Sequence, residues 1–344
     1  MSEAIHSIAG LTARGLVAAE DGPALEALTR RYAVAITPAM AALIDPSDPN
    51  DPIALQFVPD LREAHALPEE LADPIGDGAH SPLEGIVHRY PDRVLLKILH
   101  VCPVYCRFCF RREMVGPGAE QVLGKAALEA ALAYIAGHPE IWEVILTGGD
   151  PLALSSRRLE QVMRALGAIP HVAIVRIHTR VPAVDPGRVD DAMVAALLAS
   201  GKTTYVALHA NHASELGTAA GHAIARLVDA GIPMVSQSVL LRGVNDSFAA
   251  LSALMRRFVE LRVKPYYLHH GDLAPGTSHL RVDLSTGRAL VHELRARVSG
   301  LCQPAYVLDI PGGHGKVPVG PDHLVEGGVT DHQGRLHAYP VPPR

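Results

Sequence analysis

From Arg93 onward, short apolar runs rich in β-branched residues alternate with longer stretches whose apolar positions recur every three to four residues. The short runs predict strands at 93–100, 143–147, 173–178, 203–209, 234–239, 265–269 and 305–310. The longer ones predict helices near 121–137, 156–166, 188–199, 217–230, 247–261 and 285–299. Strands recur at roughly the 30-residue length or more of a βα unit. Gly137, Gly201 and Gly231 stand where helices should stop. Such alternation builds a parallel sheet, and periodicity alone leaves open whether that sheet is flat or closes into a barrel.

The residues at the end of each strand favour a barrel. Cysteines come after the first, Gly148, Gly149 and Asp150 after the second, His178, Thr179 and Arg180 after the third, and His209, Asn211 and His212 after the fourth. Gln237 and Ser238 end the fifth, His269 to Asp272 the sixth, and Asp309 with a glycine-rich loop the last. Polar groups gathered at strand C-termini are the mark of a (β/α) barrel with its chemistry in the mouth. The fold class expected is therefore α/β, a partial (β/α) barrel with an N-terminal helical lead-in. The division expected is a lead-in over 1–85, the barrel over 86–311 and a C-terminal segment over 312–344. Within the lead-in, helical patterns run over 24–32 and 38–44. The acidic run 45–52 reads as turns rather than a calcium loop, because it has three prolines and lacks the glycine turn and final Glu of such a loop.

Composition narrows the function. The 344 residues are 48% hydrophobic with a formal charge of −5, which suits a folded globular chain and argues against a broad nucleic-acid surface. No apolar run reaches the length of a membrane span. The N-terminus lacks a cationic flank followed by an apolar core, so a cytoplasmic protein is expected, with no membrane or nucleic-acid partner.

Three of the four cysteines, Cys102, Cys106 and Cys109, fall within eight residues, while Cys302 stands alone. In a large chain this placement points to a metal or cluster rather than a disulfide scaffold. Three thiolates hold three irons of a 4Fe–4S cube and leave the fourth open to a small chelating molecule. A zinc ion completed by a histidine is the competing assignment, although no second zinc-like pair is evident. In Gly148-Gly149-Asp150 the glycines admit a close backbone approach and the carboxylate accepts from an ammonium group; a plain strand-to-helix turn would need no more. Lys316, in Pro-Gly-Gly-His-Gly-Lys-Val-Pro, does not complete a phosphate-binding Walker loop, since Val317 comes after it where Ser or Thr is required. By itself it is a loop lysine.

CxxxCxxC after the first βα strand resembles the radical S-adenosylmethionine (SAM) enzymes. YCRFCFRR, LTGGDPL, IPHVAIVRIHTR, QSVLLRGVND, PYYLHHGDL and PGGHGKVPV, in this order, resemble the lysine 2,3-aminomutase family over about residues 35–320. The resemblance implies a 4Fe–4S cluster on Cys102, Cys106 and Cys109, and SAM beside Gly148, Gly149 and Asp150. It also implies pyridoxal 5′-phosphate (PLP) on Lys316, with Arg89 and Arg93 as the candidates for the PLP phosphate and Gln237 near either cofactor. Arg111 matches the arginine that binds the substrate carboxylate, while its neighbour Arg112 reads as solvated. Asp272 and Asp309 match the pair that holds the lysine side chain, and two carboxylates there would repel glutamate. The implied activity is interconversion of L-lysine and β-lysine, fed by an electron donor such as flavodoxin or ferredoxin. The alternatives are another amino acid such as glutamate, or supply of β-lysine for modification of elongation factor P. Two departures stand out. His314 replaces the family's usual glycine, and no cysteine follows Cys302. The C-terminal zinc cluster of longer members is therefore not expected, and whether the chain forms a homo-oligomer does not carry over.

Overall fold

The computed structural model describes residues 4–116 and 122–340. Nine strands form one sheet in sequence order: β1 (Ile86–Tyr90), β2 (Arg93–Leu99), β3 (Glu143–Gly148), β4 (Ile174–Thr179), β5 (Thr203–His209), β6 (Met234–Val239), β7 (Val263–His269), β8 (Ala305–Ile310) and β9 (Gly315–Pro318). β2 to β8 are parallel. β1 and β9 lie antiparallel at the two edges. The result is a nearly closed (β/α) barrel with one seam.

The seven parallel strands are those the sequence predicts, three of them with the predicted ends. β7 begins at Val263, two residues earlier than expected, although Pro265 lies inside it. A proline has no N–H to donate, and the pairing of β6 with β7 slips there, between Ser236 and Gln237. Both edge strands escape the periodic pattern. β1 forms a tight hairpin with β2, its Tyr90 opposite Arg93. β9 is four residues long and starts at a glycine.

Helices cover the outside. Four short ones lie in the lead-in: α1 (Ile8–Thr12), α2 (Gly22–Thr29), α3 (Pro38–Ala41) and α4 (Ala54–Phe57). The others are α5 (Lys125–Ala136), α6 (Ser156–Gly167), α7 (Val181–Val184), α8 (Asp191–Leu198), α9 (Thr218–Asp229), α10 (Phe248–Glu260) and α11 (Leu284–Arg297). The helix expected over 121–137 starts at Lys125, and Gln121 lies outside the described residues. The one expected from 188 starts at Asp191, because Asp190 caps it by accepting from the Met193 N–H at 2.7 Å. α6 buries Leu159, Val162, Met163 and Leu166 along one stripe against the barrel. The acidic run is a set of turns as expected. Asp45, Asp48 and Asp51 each accept N–H groups two or three residues ahead.

The lead-in closes the seam. The Gly76 Cα approaches the Gly313 backbone so closely that no side chain fits there, and Gly76 has φ +67°. The His80 ring lies 2.9 Å from the Gly313 carbonyl. From the opposite edge, the Tyr90 hydroxyl accepts from the Lys316 N–H at 2.8 Å. β1, β9 and the loop around 73–81 thus meet over the mouth. A small sheet of β10 (Leu324–Val325), β11 (Gly328–Thr330) and β12 (Leu336–His337) comes after the barrel. Among the described residues, no helix is long and apolar enough to cross a membrane.

Candidate active site

The C-terminal ends of β2 to β8 carry the polar groups, as the strand endings imply. After β2 the chain turns through Cys102, Cys106 and Cys109, which line one cavity with Tyr32, Val104 and Arg112. Burial pushes all three thiols above their ordinary pKa, Cys109 to about 11; the neighbouring cysteines add to the rise at Cys102 and Cys109, while Arg180 offsets part of it at Cys106. Thiols so placed stay protonated unless cations join them, which suits a shared iron–sulfur cluster. Among the described residues, no three His, Cys, Asp or Glu side chains converge to hold a single ion. Thiols on separate irons of a cube need no such convergence, so the arrangement is compatible with a cluster.

Gly148 and Gly149 are required by the cysteine segment itself. A Cβ on Gly148 would strike the Leu99 carbonyl oxygen, and one on Gly149 the Val101 oxygen. The Asp150 carboxylate accepts from the Thr179 hydroxyl at 2.7 Å, the Arg180 N–H at 2.7 Å and the Leu152 N–H at 3.0 Å. It therefore ties the end of β3 to that of β4.

A second group of side chains gathers at the seam. Lys316 Nζ donates to Asp309 Oδ2 at 2.6 Å. The Asp309 carboxylate, 4% exposed, also has Arg89 at 3.7 Å and His269 Nδ1 at 3.9 Å. Arg111 donates through Nε and Nη2 to Asp77 Oδ2, at 3.2 and 2.8 Å, and Arg89 reaches Asp77 Oδ1 at 3.3 Å. Burial opposes the charge on Asp77, but Arg111, Lys97 and Arg89 outweigh it and hold the carboxyl below its ordinary pKa. Burial, with Asp309 adding to it, raises Asp272 to about 7. Gln237 Nε2 lies 2.8 Å from His178 Nε2. Arg93 pairs with Asp92 at 2.6 Å and stacks over the ring of Tyr90, whose hydroxyl accepts from the Lys316 N–H. Asp309 Oδ1, His269 Nε2 and Arg89 Nε are buried without hydrogen-bond partners. Orphaned polar atoms around one lysine fit a polar ligand such as PLP and its amino acid.

Several residues here carry no motif. Asp77 sits in a loop of the lead-in, just before the turn Gly78–His80. Arg112 is not solvated. It is buried, bonds the fully buried Glu63 and stacks on the Tyr32 ring at 3.6 Å. Arg107 joins Glu63 at 2.8 and 2.6 Å. Asp60-Leu-Arg-Glu63 is legible as a capping box, which it forms; the two arginines behind it are not legible. Neither Arg180 nor Glu215 stands in a pattern that assigns it a role.

Residues 96–254 match the Radical SAM superfamily. The chain is 41% identical over 292 residues to an L-lysine 2,3-aminomutase of Clostridium subterminale, covering 85% of this chain and 70% of that one. The chain belongs to the lysine 2,3-aminomutase family. An Escherichia coli (strain K12) L-lysine 2,3-aminomutase is 36% identical, over 80% of each chain. A glutamate 2,3-aminomutase of Clostridioides difficile (strain 630) is also 36% identical, over 87% of this chain and 70% of its own. Members of this family are isomerases that use a 4Fe–4S cluster, SAM and PLP.

Proposed function

We propose that the chain interconverts L-lysine and β-lysine, with Cys102, Cys106 and Cys109 holding the cluster and Lys316 holding PLP. The observation that carries the substrate is the buried Asp309 carboxylate on Lys316, with a second buried acid, Asp272, whose ionisation Asp309 opposes and Lys316 favours. Lys316 is the cation nearest Asp309. Once its amine is committed to a cofactor, Asp309 and Asp272 share a buried site with excess negative charge, and a substrate ammonium relieves it. A glutamate side chain would add a third carboxylate instead.

When bound, the cluster and SAM supply a carbon radical and PLP supplies the π-system across which an amino group migrates. The chain's own groups bind, orient and exclude. Arg111, held by Asp77, presents its remaining donors to the amino-acid carboxylate. Asp309 Oδ2 is the nearest base to take a proton from Lys316 Nζ, as an amine must lose one to act as a nucleophile. Arg89 is the better candidate for the PLP phosphate, being aimed at the seam, while Arg93 sits beside it on the hairpin. The carbonyls of Gly148 and Gly149 are the contacts offered to the SAM ammonium group. The loop around Gly76 and His80 closes the mouth against water.

The test is anaerobic reconstitution with iron, sulfide, PLP, SAM and dithionite, followed by mass spectrometry of products from L-lysine and, separately, L-glutamate. β-Lysine that disappears in Cys106→Ala and Lys316→Ala is the expected result. β-Glutamate in its place would move the substrate to the glutamate branch. Neither product from a loaded protein would defeat the proposal. The electron donor is proposed to be a flavodoxin- or ferredoxin-like protein.

A further inference from the structure

Arg180, the residue after β4, carries its guanidinium into the wall behind the cysteines. Nη1 donates to Cys106 Sγ at 2.9 Å. Nη2 donates to Glu215 Oε2 at 2.6 Å and Gln56 Oε1 at 2.5 Å. The side chain is 6% exposed and Glu215 is 0%. Phe57 and Phe108 flank the cation at 4.7 and 5.5 Å. Glu215 is fixed in turn by the N–H groups of Asn211 and His212, at 2.8 and 2.9 Å, and by Gln56 Nε2 at 3.1 Å.

Glu215, Gln56 and the two rings hold the guanidinium in one orientation. A buried ion pair is a weak source of stability by itself, because desolvation offsets the attraction. This one directs a charged N–H at the sulfur that would bind an iron. We propose that Arg180 and Glu215 set the reduction potential of the cluster, Arg180 through its hydrogen bond to Cys106 Sγ and Glu215 by offsetting part of that positive charge. The cluster becomes more negative when it accepts one electron from a low-potential donor. An N–H donor and a cation at the sulfur stabilise the reduced form and raise the potential; a carboxylate behind them lowers it. The buried, apolar surroundings strengthen both effects relative to water. Both residues are positioning residues, since neither touches substrate.

The inference rests on Cys102, Cys106 and Cys109 being the cluster ligands. It is tested on the full chain, reconstituted anaerobically with iron and sulfide and titrated with dithionite and mediators while electron paramagnetic resonance tracks the one-electron-reduced cluster. At the wild-type midpoint, Arg180→Gln is expected to lower the reduced-to-oxidised ratio about tenfold, which is ~59 mV for one electron. Glu215→Gln is expected to shift it the opposite way, and Arg180→Lys to lie between Arg180→Gln and wild type. A purely structural role would move Arg180→Gln and Glu215→Gln in the same direction, through loss of cluster. Unchanged midpoints in loaded variants, or shifts of one sign, overturn the proposal. If Arg180→Gln takes up no iron, Glu215→Gln decides alone: a rise supports the proposal, and no change or a fall overturns it. A wild-type chain that binds no iron sinks the ligand reading first and this one with it.

Discussion

Asp77 holds two arginines at once, Arg111 at 2.8 Å and Arg89 at 3.3 Å, from a loop of the lead-in. Asp77→Asn keeps the shape and removes the charge, so Arg111 loses a charge-assisted anchor of about 1.5–3 kcal/mol. KM for the amino acid should rise about tenfold or more with a smaller change in kcat; an unchanged KM would show that Arg111 needs no anchor. Asp272 makes a pH prediction. Its pKa is raised to about 7, mainly by burial, against an ordinary value near ~3.9. The folded state therefore holds a proton that the unfolded state has lost, and stability falls as pH rises from about 4 through about 7. An ammonium ligand needs the ionised form, so L-lysine binding should release a proton near neutral pH and weaken below it. Calorimetry in buffers of different ionisation heat reads that release, which Asp272→Asn should abolish. At this scale the sequence shows the residues that stand in motifs: the cysteines, Lys316, Arg111, Asp272 and Asp309. It does not show what holds them. Asp77 and Arg111 are 34 positions apart, Arg180 and Gln56 124, and neither spacing leaves a periodic trace.

The parallel strands are legible in the sequence because each is a short run with β-branched or aromatic residues set between longer helical patterns, and β4 and β6 alternate buried with half-buried positions as a strand's period of two requires. β1 and β9 are not. They are edge strands, with burial patterns that fade into partial exposure, so their sequences resemble the loops beside them. Gly148 and Gly149 show how an element-level need can look like a ligand motif. They let β3 pass beneath the segment that enters the cysteine loop, where the Gly149 N–H donates to the Leu99 carbonyl at 2.6 Å and the Asp150 N–H to that of Val101 at 3.0 Å. Gly149→Ala places a methyl against the Val101 backbone, which cannot swing away as a side chain would. The expected cost is at least the ~1–3 kcal/mol of overpacking, with reduced iron uptake because the cysteine segment must shift. Gly187→Ala, where a Cβ would meet nothing within 4 Å, should stay within about 0.5 kcal/mol of wild type. Thermal melts of the two variants, read with their iron content, separate a packing requirement from general sensitivity to added bulk. Equal Tm values would remove the argument.

At the scale of the whole molecule, the lead-in and the barrel share their packing. One apolar core runs without a break from Ile5, Leu11, Ile36 and Phe57 in the lead-in to Leu96, Leu146, Val206 and Tyr306 in the barrel. The polar ties run the same way. Glu63 pairs with both Arg107 and Arg112 on either side of Cys109, and Arg107 also donates to the Ala33 carbonyl at 3.0 Å. Gln56 reaches Arg180, and Asp77 reaches Arg111. Arg107, Arg111 and Arg112 lie buried or half-buried in the cysteine loop with their carboxylate partners in the lead-in, so removal of Glu63 or Asp77 leaves an uncompensated charge there, whereas Arg180 keeps Glu215. One such loss costs ~3–5 kcal/mol, comparable to much of the ~5–15 kcal/mol stability of a typical domain. Glu63→Gln should therefore lower Tm sharply and impair iron uptake while keeping side-chain volume. A chain trimmed to residues 86–344 strands Arg107, Arg111 and Arg112, takes the Gln56 acceptor from Arg180 while leaving it Glu215, and exposes the barrel wall that α1 to α4 cover. It is expected to show no cooperative melt and to take up no cluster, by circular dichroism and iron analysis. A trimmed chain that melts cooperatively near the full-length Tm would make the lead-in an accessory. The cysteine loop would then be held by the barrel alone.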